Sequence, residues 1–355
     1  MGGIWGSRIK IAVFGESHGA AIGVTLSGLP PGITLDIEGI EREMARRAPG
    51  RSPLSTPRAE SDKFEIVSGF FEGKTTGTPL CAIIRNGDAR SADYQRHVFR
   101  PGHADLPVYY KYNGFADHRG GGHSSGRLTA PLVFAGAIAK QILARRGIRI
   151  GARISGIAGI DDANATPEQV IEVSGDAFPV IDKTAAARMT EAVLEAKERG
   201  DSVGGVIECA ALGVPAGWGD PFFDSLESVI SGMMFSIPAV KGVEFGDGFK
   251  LAGMTGSASN DQMRVEDGAV RFLSNRSGGI NGGISNGQPL VFRVAVRATP
   301  TVGAEQTTVD ISKMETVAAA FGGRHDPCIV PRAVPAAEAG LALCLLDFYL
   351  GEYVK

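Results

Sequence analysis

The sequence predicts an α+β fold: a single large β-α-β sandwich with internal pseudo-duplication and buried helices. Three observations carry this expectation. Short strand-and-turn segments echo one another in the same order along the chain, helix-like segments lie between them, and strict βα alternation does not dominate, which disfavours a doubly wound sheet.

The first echo pairs GLPPG at 28–32 with GVPAG at 213–217, each after a strand-like run at 22–26 and 205–210. The second pairs GTPLCAII at 77–84 with GQPLVFRV at 287–294, in each case a turn leading into an apolar strand. Both pairs keep their order. The chain is therefore expected to form one intertwined unit over 1–355, with echoing halves near 1–150 and 200–355, rather than separate domains.

Helix signals fall between the strands. Asp36 suits the cap of a helix with Ile37, Ile40 and Met44 on one face, ending at Arg46 and Arg47 before Pro49-Gly50. The segment 129–146 carries Leu132, Val133, Phe134, Ile138, Ile142 and Leu143 and stops at Gly147, and 183–199 is amphipathic and stops at Gly200. The last segment, 333–350, is apolar around most of its girth. It contains Glu338 and Asp347 and is short for a membrane span, so a buried core helix is expected.

With 355 residues and 43% apolar side chains, the chain can bury a sizeable core. Its net charge of −3 provides no global basic field, which argues against nucleic acid as a partner. Cys81, Cys209, Cys328 and Cys344 are far apart and lack ligand spacing, so neither a metal site nor a disulfide framework is expected. The N-terminus has no apolar stretch of signal-peptide length, which points to a cytoplasmic protein with no membrane contact. Glycine, at 49 residues, is about twice its ordinary usage. It clusters in GGGHSSG at 120–126 and SGGINGGISNG at 277–287, where close backbone approach to a ligand is expected.

Several polar constellations could carry chemistry. In FGESHG, Glu16, Ser17 and His18 follow an apolar run. Neighbours on an extended segment face opposite sides, so they cannot form a hydrolase triad among themselves, and a polar turn would leave the same pattern. RPGHAD at 100–105 sets His103 in a turn between a cation and an acid. RGGGHSSGR at 119–127 places glycines, hydroxyls and arginines ahead of a long helix, which suits a phosphate as well as it suits a capped surface loop. It is neither a Walker A loop nor a dinucleotide fingerprint. Arg42, Arg46, Arg47, Arg51 and Arg58, with Arg324 and Arg332 around HDPCIVP, would together suit a small polyanion bearing carboxylates and phosphate. Asp326 precedes a proline, which holds its segment extended.

FGESHG, RPGHAD, RGGGxSSxR, GGIxGGISNG and GRHDPCxxxRAVPxAEA occur in this order over 14–339, together with AVKGVEFGDGF at 239–249. This set resembles the chorismate synthase family. The resemblance implies a 1,4-anti elimination of phosphate from 5-enolpyruvylshikimate 3-phosphate with reduced FMN as transient electron donor and no net oxidation. It implies NADPH as direct or indirect reductant, the latter through an external flavin reductase, and a homotetramer. By the same resemblance His18 protonates the leaving phosphate, His103 protonates the flavin, Asp326 relays the substrate hydrogen away near flavin N5, and Ser17 and Ser125 support that relay, with Glu16 a structural partner. Arg46, Arg47, Arg127 and Arg332 correspond to substrate-gripping arginines. Flavin contacts correspond to His123, Ser124, Ser125, Ala239, Gly282, Arg297, Ala298, Thr299, Pro300, Thr301 and Arg324.

The chain departs from the family pattern at His123, where an arginine is common, at Leu128, where a glutamate is common, and near Pro53, where an arginine is often found; the segment before Asp117-His118-Arg119 is one residue longer than usual. Two other functions use the same residues differently. A flavin-binding redox or storage protein would hold FMN with spectator histidines, and a non-enzymatic anion-binding module would use the arginines alone.

Overall fold

Two five-stranded antiparallel sheets enclose a helical layer, in a computed structural model that describes residues 3–50, 54, 60–87, 94–322 and 326–352. The first sheet contains β1 (Ile4–Trp5), β2 (Lys10–Gly15), β3 (Ala21–Ser27), β4 (Phe64–Ser68) and, after a two-rung hairpin of β5 (Phe70–Phe71) and β6 (Lys74–Thr75), β7 (Leu80–Arg85); its order is β1-β2-β3-β7-β4. The second contains β8 (Arg149–Ile157), β9 (Ile160–Asp161), β10 (Gly205–Leu212) and β11 (Val240–Phe245). After hairpins β12 (Met263–Glu266) with β13 (Ala269–Phe272) and β14 (Ile280–Asn281) with β15 (Ile284–Ser285), β16 (Leu290–Val296) completes it, in the order β11-β16-β10-β8-β9. A last hairpin, β17 (Gln306–Asp310) with β18 (Glu315–Ala319), lies outside both sheets.

The echoes noted in the sequence are geometric repeats. Strand β3 pairs with β7 as β10 pairs with β16. Thr75 Oγ1 donates to the Pro30 carbonyl at 2.7 Å, and Ser285 Oγ donates to the Pro215 carbonyl at 2.6 Å. The same hydroxyls accept from the Ile33 and Trp218 amides at 3.0 and 2.9 Å. A hydroxyl in each hairpin thus satisfies the buried backbone of each Pro-containing turn, which explains why turn and hairpin recur as a pair.

Alternation sets the faces of the central strands. Leu80, Ala82 and Ile84 on β7, and Leu290, Phe292, Val294 and Val296 on β16, are buried at every second position. They pack on α1 (Ile37–Arg47), α3 (Thr129–Ala144) and α8 (Val330–Glu352), with α6 (Leu226–Ser236) beside α8. Asp36 caps α1 by accepting from the Gly39 amide at 2.9 Å. The remaining helices are peripheral: α2 (Asp105–Lys111), α4 (Pro167–Val173), α5 (Lys183–Glu198) and α7 (Gly256–Ser259).

Helices α3 and α8 are apolar on nearly all sides because they are enclosed by the sheets. They approach so closely that a Cβ on Gly136 would stand 2.3 Å from that of Ala339. Two apolar windows, Gly126–Ala144 and Val330–Gly351, are long enough to cross a membrane, but 72% and 78% of them are buried inside the protein, as core helices require. A single apolar cluster runs from Ile9 to Leu350 and draws on both sheets.

Inside this layer Glu338 is fully buried. It accepts from Arg46 at 2.7 Å through each oxygen, from Lys140 at 2.7 Å and from the Ala152 amide at 3.1 Å. Burial alone would raise its pKa, but Lys140 and Arg46 hold it below the usual carboxylate range.

Candidate active site

A cavity of about 1010 Å³ opens where the first sheet, the α3 entry loop and the start of α8 meet. Ser17, His103, Ser125, Arg127, Asp326 and Arg332 all line it, although they come from four separated stretches of sequence.

The turn Gly120–Gly122 organises two histidines. All three glycines have positive φ, a conformation that side chains resist. A Cβ on Gly120 would fall 2.6 Å from His18 Nε2, and one on Gly121 would fall 3.1 Å from His103 Cε1. The two imidazoles therefore flank one glycine turn. His18 lies behind that turn, almost buried and edge-on to Tyr94 with ring centroids 5.1 Å apart. Ser17 is fully buried, and its Oγ has no hydrogen-bond partner among the described residues. Such a group is expected to be satisfied by a ligand or water.

His103 is held by an acid. Its Nδ1 lies 2.7 Å from Asp105 Oδ1, while Asp105 also accepts from Arg100 Nε and Nη2 at 2.8 Å each. Burial pushes the Asp105 pKa up, but hydrogen bonds from Arg100 and His103 bring it well below the usual carboxylate range. A carboxylate that stays ionised keeps the shared proton on Nδ1 and leaves Nε2 for a ligand. His118, also on the wall, has its pKa lowered by burial, only partly offset by Asp117.

The segment expected to contact the flavin also reaches the cavity, beside the turn that carries His103. Arg297, Thr299, Pro300, Thr301 and Ala239 line the cavity with His123, Ser124 and Ser125. Arg297 Nη1 donates to the Gly102 carbonyl at 3.0 Å, and Thr299 Oγ1 donates to the Asp326 carbonyl at 2.8 Å. Ala239 carries φ 74°, a strained value for a residue with a Cβ, and its carbonyl accepts from the Arg297 amide at 2.9 Å. Ala298 lies between wall residues without being one, and Arg324 and His325 fall outside the described residues, as do Arg51, Pro53 and Arg58.

The substrate arginines divide. Arg47, Arg127 and Arg332 face the cavity. Arg332 Nη1 bonds Asp326 Oδ2, and its Nε donates to the Arg47 carbonyl at 3.2 Å. Arg46 does not join them: successive helix residues point about 100° apart, and its guanidinium is engaged by Glu338 and Glu43. Their hydrogen bonds and charges outweigh the cost of burial and raise its pKa. Nor does Gly282 reach the cavity of its own chain. It sits in the β14–β15 hairpin, whose Ser285 braces the repeated turn described above. The loop at 277–287, where ligand contact is expected, forms one of the two hairpins of the repeat and does not line the cavity of its own chain.

Two acids without a sequence signature support the polar wall: Glu60 lines the cavity and Asp62 lies behind it. Asp62 contacts both Arg47 and Arg127, Glu60 contacts Arg127, and Arg127 Nε donates to Asn86 Oδ1 at 3.2 Å. Neither acid sits in a motif; only their three-dimensional partners reveal them. Asp105 was visible as the acid flanking His103.

A protein-family model described as chorismate synthase matches residues 9–350. A chorismate synthase of Porphyromonas gingivalis is 49% identical over 98% of this chain and 95% of its own length, and one of Methanosarcina acetivorans is 46% identical over 98% and 96%. A chorismate synthase crystal structure is similar at a TM-score of 0.77 and 31% identity, covering 98% of this chain and 93% of that one.

Proposed function

Since the chain belongs to the chorismate synthase family, we propose that its cavity is the active site and that its resident cofactor is reduced FMN. The protein is a carbon-oxygen lyase of the shikimate pathway. It eliminates phosphate from 5-enolpyruvylshikimate 3-phosphate to give chorismate, and enzymes of this family use a reduced flavin. Phosphate leaves one end of the allylic system as hydrogen is lost from C6 at the other, with no net oxidation.

The residues present fit a flavin. The cavity is at the upper end of ordinary ligand pockets, its wall pairs apolar Leu132, Ile237, Pro238 and Ala239 with polar Thr299 and Thr301, and Ser17 Oγ awaits a partner. A bound reduced flavin would supply electron density that lets phosphate depart from its allylic carbon although the C–H bond at C6, at the far end of the allylic system, is poorly acidic.

The protein's own groups do the rest. Arg47, Arg127 and Arg332 orient the substrate carboxylates and phosphate. His18, one residue from Ser17, holds the proton for the leaving phosphate. His103 presents Nε2 to the cofactor with Asp105 fixing the ring. Asp326, steadied by Arg332, holds the carboxylate that relays the departing substrate hydrogen, and Ser17 and Ser125 support it. His123, Ser124, Ser125, Ala239 and Arg297–Thr301 hold the cofactor. Arg46 is better read as part of the core, and Gly282 has no place in this set for a single chain. We read 1–355 as one unit that works as a cytoplasmic homotetramer, with NADPH as the ultimate reductant.

One observation carries this reading: the motifs spread over the chain put His103, a carboxylate and three arginines around a single cavity, with His18 behind the glycine turn on its wall. The test is anaerobic release of phosphate from substrate with chemically reduced FMN, repeated with oxidised FMN plus NADPH. Release in the first arm is expected. Absence of release there contradicts the reading, and the second arm decides whether flavin reduction is intrinsic or requires an external reductase.

A further inference from the structure

Asp62 is 2% exposed and holds two guanidinium groups at once. Its Oδ2 lies 2.5 Å from Arg47 Nη1, and its Oδ1 accepts from Arg127 Nη1. Both arginines face the cavity, while Asp62 is not part of its wall. Two guanidinium groups on one side of a buried site repel unless an anion lies between them.

The other contacts fix this geometry. Asp62 has φ 49°, in the left-handed region that aspartate tolerates better than most residues, two positions before β4 begins at Phe64. Arg47 Nε donates to Thr129 Oγ1 at 3.1 Å, at the start of α3. Arg127 Nε is 3.0 Å from Glu60 Oε2. Arg127 Nη2 alone is buried with no hydrogen-bond partner among the described residues, a donor held in reserve on the cavity wall.

We propose that Asp62 is a positioning residue that clamps Arg47 and Arg127 into a two-guanidinium fork, and that this fork sets affinity for the polyanionic substrate. The proposal rests on the reading of the cavity as the substrate site. Asp62 does not touch substrate. It neutralises the fork from behind and fixes its spacing, so that an incoming anion meets donors already in place instead of ordering two long side chains itself. The fork matches a ligand carrying carboxylate or phosphate oxygens, for which arginine supplies paired donors. Its link to Asp326 runs through the Arg47 backbone carbonyl, which accepts from Arg332 Nε, and not through the Asp62-bound guanidinium groups, so loosening the fork should weaken binding more than chemistry.

The test uses the full chain with chemically reduced FMN under anaerobic conditions. KM and kcat for 5-enolpyruvylshikimate 3-phosphate are measured for wild type, Asp62→Asn and Asp62→Glu, with oxidised-FMN affinity and far-UV circular dichroism alongside. Asp62→Asn is expected to raise KM about tenfold or more, the scale of a lost hydrogen bond to a charged group, with kcat and FMN affinity nearly retained. Asp62→Glu, which restores the charge, is expected to fall between the two. A wild-type KM in Asp62→Asn overturns the clamp, as does loss of FMN affinity in step with KM. If Asp62→Asn does not fold, Asp62→Glu decides: a raised KM with retained FMN affinity supports the clamp, and a wild-type KM or failure to fold overturns it. Phosphate release by the wild type is the separate control. Its absence overturns the underlying reading, whereas its presence with unchanged variant KM overturns the clamp alone.

Discussion

Asp105 Oδ1 lies 2.7 Å from His103 Nδ1, and the same carboxylate accepts two hydrogen bonds from Arg100. An arginine, an acid and a histidine from one six-residue motif thus form a chain that ends at the cavity wall. Arg100 holds Asp105 ionised, Asp105 holds the imidazole, and the imidazole presents its remaining nitrogen.

His103→Ala is therefore expected to lower kcat by about 10²–10⁴-fold, the usual effect of losing a general acid or base. Asp105→Asn should lower it by about tenfold or more, since an amide can turn its NH2 toward Nδ1 and favour the wrong tautomer. Steady-state kinetics on both variants check this, and wild-type kcat in Asp105→Asn would show that the contact does not govern the ring.

Ser17 offers a sharper contrast between stability and function. Its hydroxyl is buried without a partner among the described residues, so Ser17→Ala is expected to remove a desolvated group that the fold does not use. The melting temperature should stay or rise while kcat falls by about tenfold. A clear loss of melting temperature would mean that the hydroxyl has a structural partner.

Much of this was legible in the sequence because the relevant physics is local. Pro-Gly turns, capped helices and alternating strands are written in short windows, which is why GLPPG and GVPAG, or GTPL and GQPL, announce the repeat. The glycine loop at 120–122 was legible for the same reason: its backbone conformation requires glycine. What depends on long-range pairing was not. Arg46 and Arg47 are neighbours of the same type, yet one turns to Glu338, 292 positions away, and the other to the cavity. Glu60 and Asp62 look like ordinary solvated acids until Arg127, 65 positions from Asp62, is placed against them. The second glycine loop resembles the first in composition, and nothing in that composition announces that Ser285 braces the turn at Pro215.

Glu338 gives a stability prediction. Removing one partner from a buried ionic cluster leaves uncompensated charge, so Glu338→Gln should cost about 3–5 kcal/mol in urea unfolding at neutral pH. Its folded pKa lies below the ordinary 4.5 of glutamate. A depressed carboxylate contributes stability that is fully present above the unfolded value and lost as pH falls through the folded one. Wild-type stability should thus decline on acidification below about pH 4.5, and the variant should show a shallower decline. Identical slopes would show that Glu338 does not contribute to it.

Asp326→Asn tests the pairing with Arg332. On the proposed reading the variant loses the carboxylate that serves the substrate hydrogen, and it releases the Arg332 guanidinium paired with it. A fall in kcat of about 10²-fold or more is expected, with KM changed far less. A rise in KM at constant kcat would instead make Asp326 a binding residue.

The most direct test is the electron density of crystals grown with oxidised FMN and 5-enolpyruvylshikimate 3-phosphate. The isoalloxazine ring should lie between the Arg297–Thr301 segment and His103, with Asp326 beside it and the substrate anions on Arg47, Arg127 and Arg332. Density for either ligand outside this cavity, or for both with His103 and Asp326 out of contact, would contradict the assignment.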